Sequence, residues 1–202
     1  GAPLFSPDGK YIAYKTHSIP GFEADRFRIA IYNTQTLQSE VLTESFDYTT
    51  DNLSWSSDSK SIYFLADNRG YSPVYKVDVE TKNVLKITDD KAVRGYQFNK
   101  EEKNLYITVS TVDKPAEIFS YDVSAGIYSQ ITYFNKKLTE EVDIRPAEQM
   151  WVDGADGVPV HVFIVKPHGY EEYKKYPLVI NVHGGPQMQW MDSFRGDWQV
   201  YP

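Results

Sequence analysis

Phe5-Ser-Pro-Asp-Gly-Lys-Tyr-Ile-Ala-Tyr14 decides the fold of most of the chain, because its pattern returns twice. Trp55-Ser-Ser-Asp-Ser-Lys-Ser-Ile-Tyr-Phe64 and Phe98-Asn-Lys-Glu-Glu-Lys-Asn-Leu-Tyr-Ile107 follow, 50 and then 43 residues further on. Each copy is an aromatic residue, a polar turn ending in Lys, and a strand-like run. In the first copy Pro7 presets φ, and Asp8-Gly9 accepts a tight reversal. A second family interleaves with the first: Ile31-Tyr-Asn-Thr34 through to Thr43, Val77-Asp-Val79 to Thr88, and Tyr121-Asp-Val123 to Thr132. The closing Thr residues lie 45 and 44 residues apart, and each member has the pattern strand, polar turn, strand.

A repeat of about 45 residues holding four short strands has the size of one β-propeller blade. The sequence therefore predicts about three blades, and since a ring needs at least four, a partial β-propeller. A β-sandwich with chance internal similarity is the alternative; two motif families, each repeated three times in register, argue against it. Aromatic residues make up 15% of the 202 residues, 16 of them Tyr, which also favours extended structure.

The first blade departs from the pattern. Its link from Lys15 to Arg28 is longer than the corresponding link from Ala66 to Val74. Long excursions from a rigid scaffold often carry function. Glu23 and Asp25 beside Arg26 and Arg28 read either as a solvated charge cluster or as a site. In the second reading Glu23 faces a cavity and pairs with a cationic substrate group such as a free α-amine.

After Thr132 the chain turns polar, and the domain boundary is placed so that residues 1–140 are propeller and 141–202 open a second domain. A hairpin follows, with Gln149–Val152 and Val158–Val165 joined by Asp153-Gly-Ala-Asp-Gly157. Lys166–Lys175 is a loop. Then comes Tyr176-Pro-Leu-Val-Ile-Asn-Val-His-Gly-Gly-Pro186. Leu178–Val182 is an apolar, β-branched run broken only by Asn181, which predicts a strand buried on both faces. His183-Gly184-Gly185-Pro186 then makes a sharp turn of the kind that carries ligand chemistry at the carboxyl end of a buried strand. Gln187–Trp198 predicts a loop over a pocket leading into a helix, with Trp190 as a pocket residue.

Several function classes recede on composition. Net charge is −7 and the Lys and Arg residues are scattered, which argues against a nucleic-acid partner. No apolar run approaches the roughly 20 residues needed to span a bilayer. There is no Cys, and His17, His161 and His168 lack metal-like spacing, so neither a metal site nor a cofactor is expected. Gly1–Ser6 has no basic or apolar leader pattern, so no signal peptide is expected at this start.

Taken together, Ser6-Pro-Asp-Gly9, Trp55-Ser-Ser-Asp58, Pro20-Gly-Phe-Glu-Ala-Asp-Arg26, the hairpin around Asp156-Gly157 and Val182-His-Gly-Gly-Pro186 resemble the prolyl oligopeptidase family of serine peptidases. The dipeptidyl and acylaminoacyl peptidase branch is the nearest match. The resemblance implies a β-propeller capping an α/β-hydrolase domain and short peptides as substrates. It leaves room for a homo-oligomer of the full-length protein, and it favours a periplasmic or secreted setting over a cytoplasmic one. By position, the Gly185 backbone N–H would be one oxyanion donor, with Gly184 and His183 supporting the turn. Glu23 would hold the substrate's amino terminus. A Gly-x-Ser-x-Gly elbow occurs nowhere in the chain, and the family's triad would lie downstream of this turn, so the 202 residues are expected to be inactive alone. A non-catalytic propeller binding module and a propeller-capped esterase are the alternatives.

Overall fold

The repeated turns fold as their residue types dictate. Ser6 Oγ donates to Asp8 Oδ1 at 2.6 Å and accepts the Tyr11 N–H at 3.0 Å, while Asp8 Oδ1 takes the Lys10 N–H. Ser56 and Asp58 repeat the arrangement, with Ser61 N–H on Ser56 Oγ at 2.9 Å. In the third copy Asn99 replaces Ser and accepts from Lys103 and Asn104. The fourth turn position takes positive φ each time, at Gly9 (74°), Ser59 (62°) and Glu102 (55°). Only the first copy uses the residue that enters this region without steric cost.

The computed structural model describes residues 3–185 and 188–201; Gly1, Ala2, Pro186, Gln187 and Pro202 lie outside the described residues. Three four-stranded antiparallel sheets follow in sequence order. The first holds β1 (Leu4–Phe5), β2 (Tyr11–Thr16), β3 (Arg28–Asn33) and β4 (Ser39–Val41). The second holds β5 (Thr50–Trp55), β6 (Ser61–Ala66), β7 (Val74–Asp78) and β8 (Val84–Lys86). The third holds β9 (Ala92–Phe98), β10 (Asn104–Thr111), β11 (Lys114–Asp122) and β12 (Ile127–Gln130). These are the three expected blades of a mainly β, partial β-propeller fold.

The second motif family closes the outer hairpin of each blade. Asn33, Asp78 and Asp122 each accept two backbone N–H groups with one side-chain oxygen, at 2.7–3.1 Å. The closing threonines fix the next chain segment to the third strand. Thr43, Thr88 and Thr132 Oγ1 accept the N–H of Ile29, Val74 and Ile118 at 2.8, 3.0 and 2.8 Å.

Side chains alternate across the middle blade so that it packs on both neighbours. Ile62, Phe64 and Ala66 of β6 join Ala13, Ile29, Ile31 and Leu42 of the first blade. Tyr63 and Leu65 join Val93, Leu105, Ile107 and Val109 of the third. Every residue of β6 is therefore buried. Trp55 Nε1 donates to Leu4 O at 3.0 Å, and the Tyr96 hydroxyl donates to Asn52 O at 2.6 Å, linking neighbouring inner strands.

Beyond the blades, α1 (Lys136–Glu141) is a short helix with no buried residue. Glu117 of β11 holds its start, accepting from Thr132 Oγ1 and from the Asn135 N–H at 2.7 Å. The hairpin forms as expected from β13 (Ala147–Asp153) and β14 (Pro159–Val165).

Two expectations need correction. Leu178–Val182 is not a strand: it pairs with no strand among the described residues, and Leu178, Ile180 and Val182 are 75–81% exposed. A buried parallel strand exists only through neighbours on its edges and faces, and the described residues supply none. Likewise, no α-helix follows the turn among the described residues; Gly196–Gln199 forms one 3₁₀ turn.

Candidate active-site turn

The His-Gly-Gly turn leads into a segment docked on the blades. Gly185 has φ of 79°, where L side chains are strained, and a Cβ there would lie 2.9 Å from Met188 Sδ. Its N–H, like that of Gly184, makes no hydrogen bond among the described residues. His183 is half-buried, with its ring edge-to-face with Trp190 at 6.2 Å. Trp190 also meets Trp198 at 5.5 Å, and the Arg195 guanidinium stacks 4.1 Å from the Trp190 ring centre. The structure thus brings together four of the residues singled out from sequence: His183, Gly184, Gly185 and Trp190.

The docking uses residues that the sequence did not draw attention to. Asn68-Arg69-Gly70-Tyr71 is a two-residue hairpin loop, with positive φ at both Arg69 (51°) and Gly70 (82°). Gln189 Oε1 accepts the Gly70 N–H, and Gln189 Nε2 donates to Tyr71 O, both at 2.8 Å. Asp192 N–H donates to Gly70 O at 2.8 Å, and Asp192 Oδ1 accepts the Val112 N–H at 3.0 Å. Arg94 Nη2 donates to Ser193 Oγ at 2.7 Å, with Ser193 only 2% exposed. On its other side the same loop meets the hairpin: a Cβ on Gly70 would fall 2.5 Å from the Phe163 ring, and Gln149 Nε2 donates to the Tyr71 hydroxyl. The visible sequence signal was Asn-Arg-Gly between two strand patterns, a turn with glycine at a position of positive φ.

A cavity of about 370 Å³ opens beside this docking region, lined by Lys15, Phe27, Asp51, Asp67, Arg94 and Met191 among others. Lys15 Nζ reaches Asp51 Oδ1 at 2.5 Å. Desolvation at the cavity raises the Asp67 carboxyl above its ordinary range, although the residue as a whole is exposed. Burial likewise raises Asp192, against the Val112 N–H that favours its charge. Met191, rather than Trp190, is the residue of this segment at the cavity wall.

Glu23 stands apart. It is exposed on the long β2–β3 link, with no hydrogen bond or ion pair among the described residues. Its neighbours are committed to structure: Asp25 Oδ2 accepts the Ser18 and Ile19 N–H groups, Arg28 pairs with Glu44 at 2.7 Å, and Arg26 lies 3.6 Å from Asp47. The other histidines make contacts of their own, although the buried His17 Nε2 has no hydrogen-bond partner among the described residues. His17 stacks on Phe27, His161 lies between Trp151 and Phe163, and His168 bonds Asp143. Among the described residues no cluster of three His, Cys, Asp or Glu could hold a metal, and no helix is long and apolar enough to cross a membrane.

No protein-family model matches the chain. Dipeptidyl-peptidase 5 of Trichophyton equinum is 29% identical over 203 residues, covering 98% of this chain. Dipeptidyl-peptidase 5 of Porphyromonas gingivalis is 27% identical over 185 residues, covering 92%. The resemblance to the prolyl oligopeptidase family of peptidases holds. The chain spans 28% and 27% of the length of these two relatives. The fold of acylaminoacyl peptidase from Pyrococcus horikoshii superposes with a TM-score of 0.77 over 95% of this chain and 29% of that one, at 21% identity. At that identity the superposition speaks for the fold alone.

Proposed function

We propose that these residues are part of a serine exopeptidase of the prolyl oligopeptidase family that hydrolyses short peptides by acyl transfer. Residues 1–140 would supply propeller blades, and residues 141–202 the opening of an α/β-hydrolase domain. The observation that carries this reading is the Gly185 turn: a glycine at positive φ whose N–H has no partner among the described residues. An unpaired backbone N–H in a glycine turn suits a charge that exists only as the reaction proceeds.

In this mechanism a downstream Ser attacks the scissile carbonyl, and a His oriented by Asp takes the proton and later gives it to the leaving amine. The carbonyl oxygen becomes an oxyanion between the Gly185 N–H and the N–H after the nucleophile. His183, braced against Trp190, supports the turn. One lost donor of this kind costs about 10²–10³ in kcat. The exposed Glu23 carboxylate is the group that the resemblance offers to a substrate's free amino terminus. Since no Gly-x-Ser-x-Gly lies within the 202 residues, the chain alone should be inert. Hydrolysis of a dipeptidyl p-nitroanilide by a longer polypeptide containing the nucleophile, abolished by a serine-reactive phosphonate, is the test; absence of turnover there refutes the proposal.

A further inference from the structure

We infer that the Asn68–Tyr71 loop of the middle blade is the positioning element for the His183-Gly184-Gly185 turn, with Gln189 as the positioning residue that couples them. The inference rests on the reading of Gly185 as an oxyanion donor. In a two-residue hairpin loop the outermost peptide groups have no ladder partner and otherwise face water. Asn68 and Tyr71 exchange their own bonds at 2.8 and 3.0 Å, leaving the Gly70 N–H and C=O outside that exchange. Gln189 and Asp192 take both. The Gln189 carboxamide is matched to the loop, accepting from Gly70 N–H and donating to Tyr71 O.

Gly185 lies four residues before Gln189, a tether of at most roughly 14 Å when fully extended. Met188, against the Gly185 backbone, shortens the effective reach. The same loop carries the β13–β14 hairpin through Gly70 under Phe163 and through Tyr71 on Gln149. One rigid turn of the propeller thus fixes both the hairpin and the segment leaving the oxyanion turn. Gly70 is required twice, by its φ of 82° and by the Phe163 ring where a Cβ would sit.

The test compares Gln189→Ala with Gln199→Ala. Gln199 makes similar side-chain bonds to the backbone of Arg145 and Val112, ten residues further along, and controls for loosened docking in general. In the 202-residue chain, Gln189→Ala should raise exchange of the Gly70 amide at least about tenfold and shift the Gly184 and Gly185 amide resonances. The β6 amides and the melting temperature should stay unchanged. Gln199→Ala should leave Gly70, Gly184 and Gly185 as they were. Unchanged Gly70 and Gly185 signals in Gln189→Ala, or equal changes in both variants, overturn the coupling. In a longer polypeptide with turnover, Gln189→Ala should lower kcat about ten- to a hundredfold with KM nearly constant, as expected for a misplaced transition-state donor. An unchanged kcat overturns the positioning role. If the amide shifts appear but no longer polypeptide hydrolyses peptides, the peptidase reading falls and the coupling stands.

Discussion

Replacing Thr43 with Val tests the interaction that closes every blade. The Thr43 hydroxyl accepts the Ile29 N–H at 2.8 Å, with Thr43 1% and Ile29 0% exposed. Val keeps the shape but turns the acceptor into a methyl, leaving a donor buried without a partner. That costs about 1–3 kcal/mol, and the added methyl recovers less than about 1 kcal/mol. A net loss of about 1–2 kcal/mol is expected, which at a urea slope of about 2 kcal/mol/M lowers the midpoint by roughly 0.5–1 M. Thr43→Ser keeps the acceptor, loses one buried methyl, and should fall between wild type and Val. The assay is urea unfolding followed by tyrosine and tryptophan fluorescence. Val as stable as Ser, or as wild type, would refute the view that the repeated Thr acts through its hydroxyl rather than its volume.

Other consequences follow from the same geometry. Phe64 is fully buried against Phe46 and Tyr75, so Phe64→Ala should cost about 3–5 kcal/mol in the same unfolding assay. Hydrogen bonds from the Ser56 hydroxyl and from the Thr81 N–H hold the Asp58 and Asp78 carboxyls, respectively, below their ordinary values. A depressed folded pKa stabilises above the unfolded value of about 3.9 and is lost as pH falls through the folded one, so stability should decline below about pH 4. Asp58→Asn and Asp78→Asn should flatten that decline in acid titrations. In a longer, active polypeptide, Glu23→Gln should weaken substrates with a free amino terminus and spare acylated ones; equal effects on both would remove Glu23 from substrate recognition.

How much was legible in the sequence depends on how local each signal was. The blades were legible because Ser6, Asp8, Thr43 and their repeats act through backbone groups a few residues away or on the neighbouring strand of the same blade. The β13–β14 hairpin was legible for the same reason, with its turn residues Asp156 and Gly157 both at positive φ. Leu178–Val182 misled because apolar β-branched composition marks a segment that needs strand neighbours, and the described residues supply none. Gln189, Asp192 and Ser193 were invisible because their partners Gly70, Val112 and Arg94 are 80 to 119 residues away. Polar residues in an irregular segment carry no periodicity from which such pairing could be read.

The central proposal meets its most direct test in one paired assay. A dipeptidyl p-nitroanilide is offered to the 202-residue chain and to a longer polypeptide carrying a downstream Gly-x-Ser-x-Gly, with and without a serine-reactive phosphonate. The account predicts phosphonate-sensitive turnover by the longer polypeptide and none by the chain alone. Turnover by the 202 residues, or an inert longer polypeptide, would contradict it.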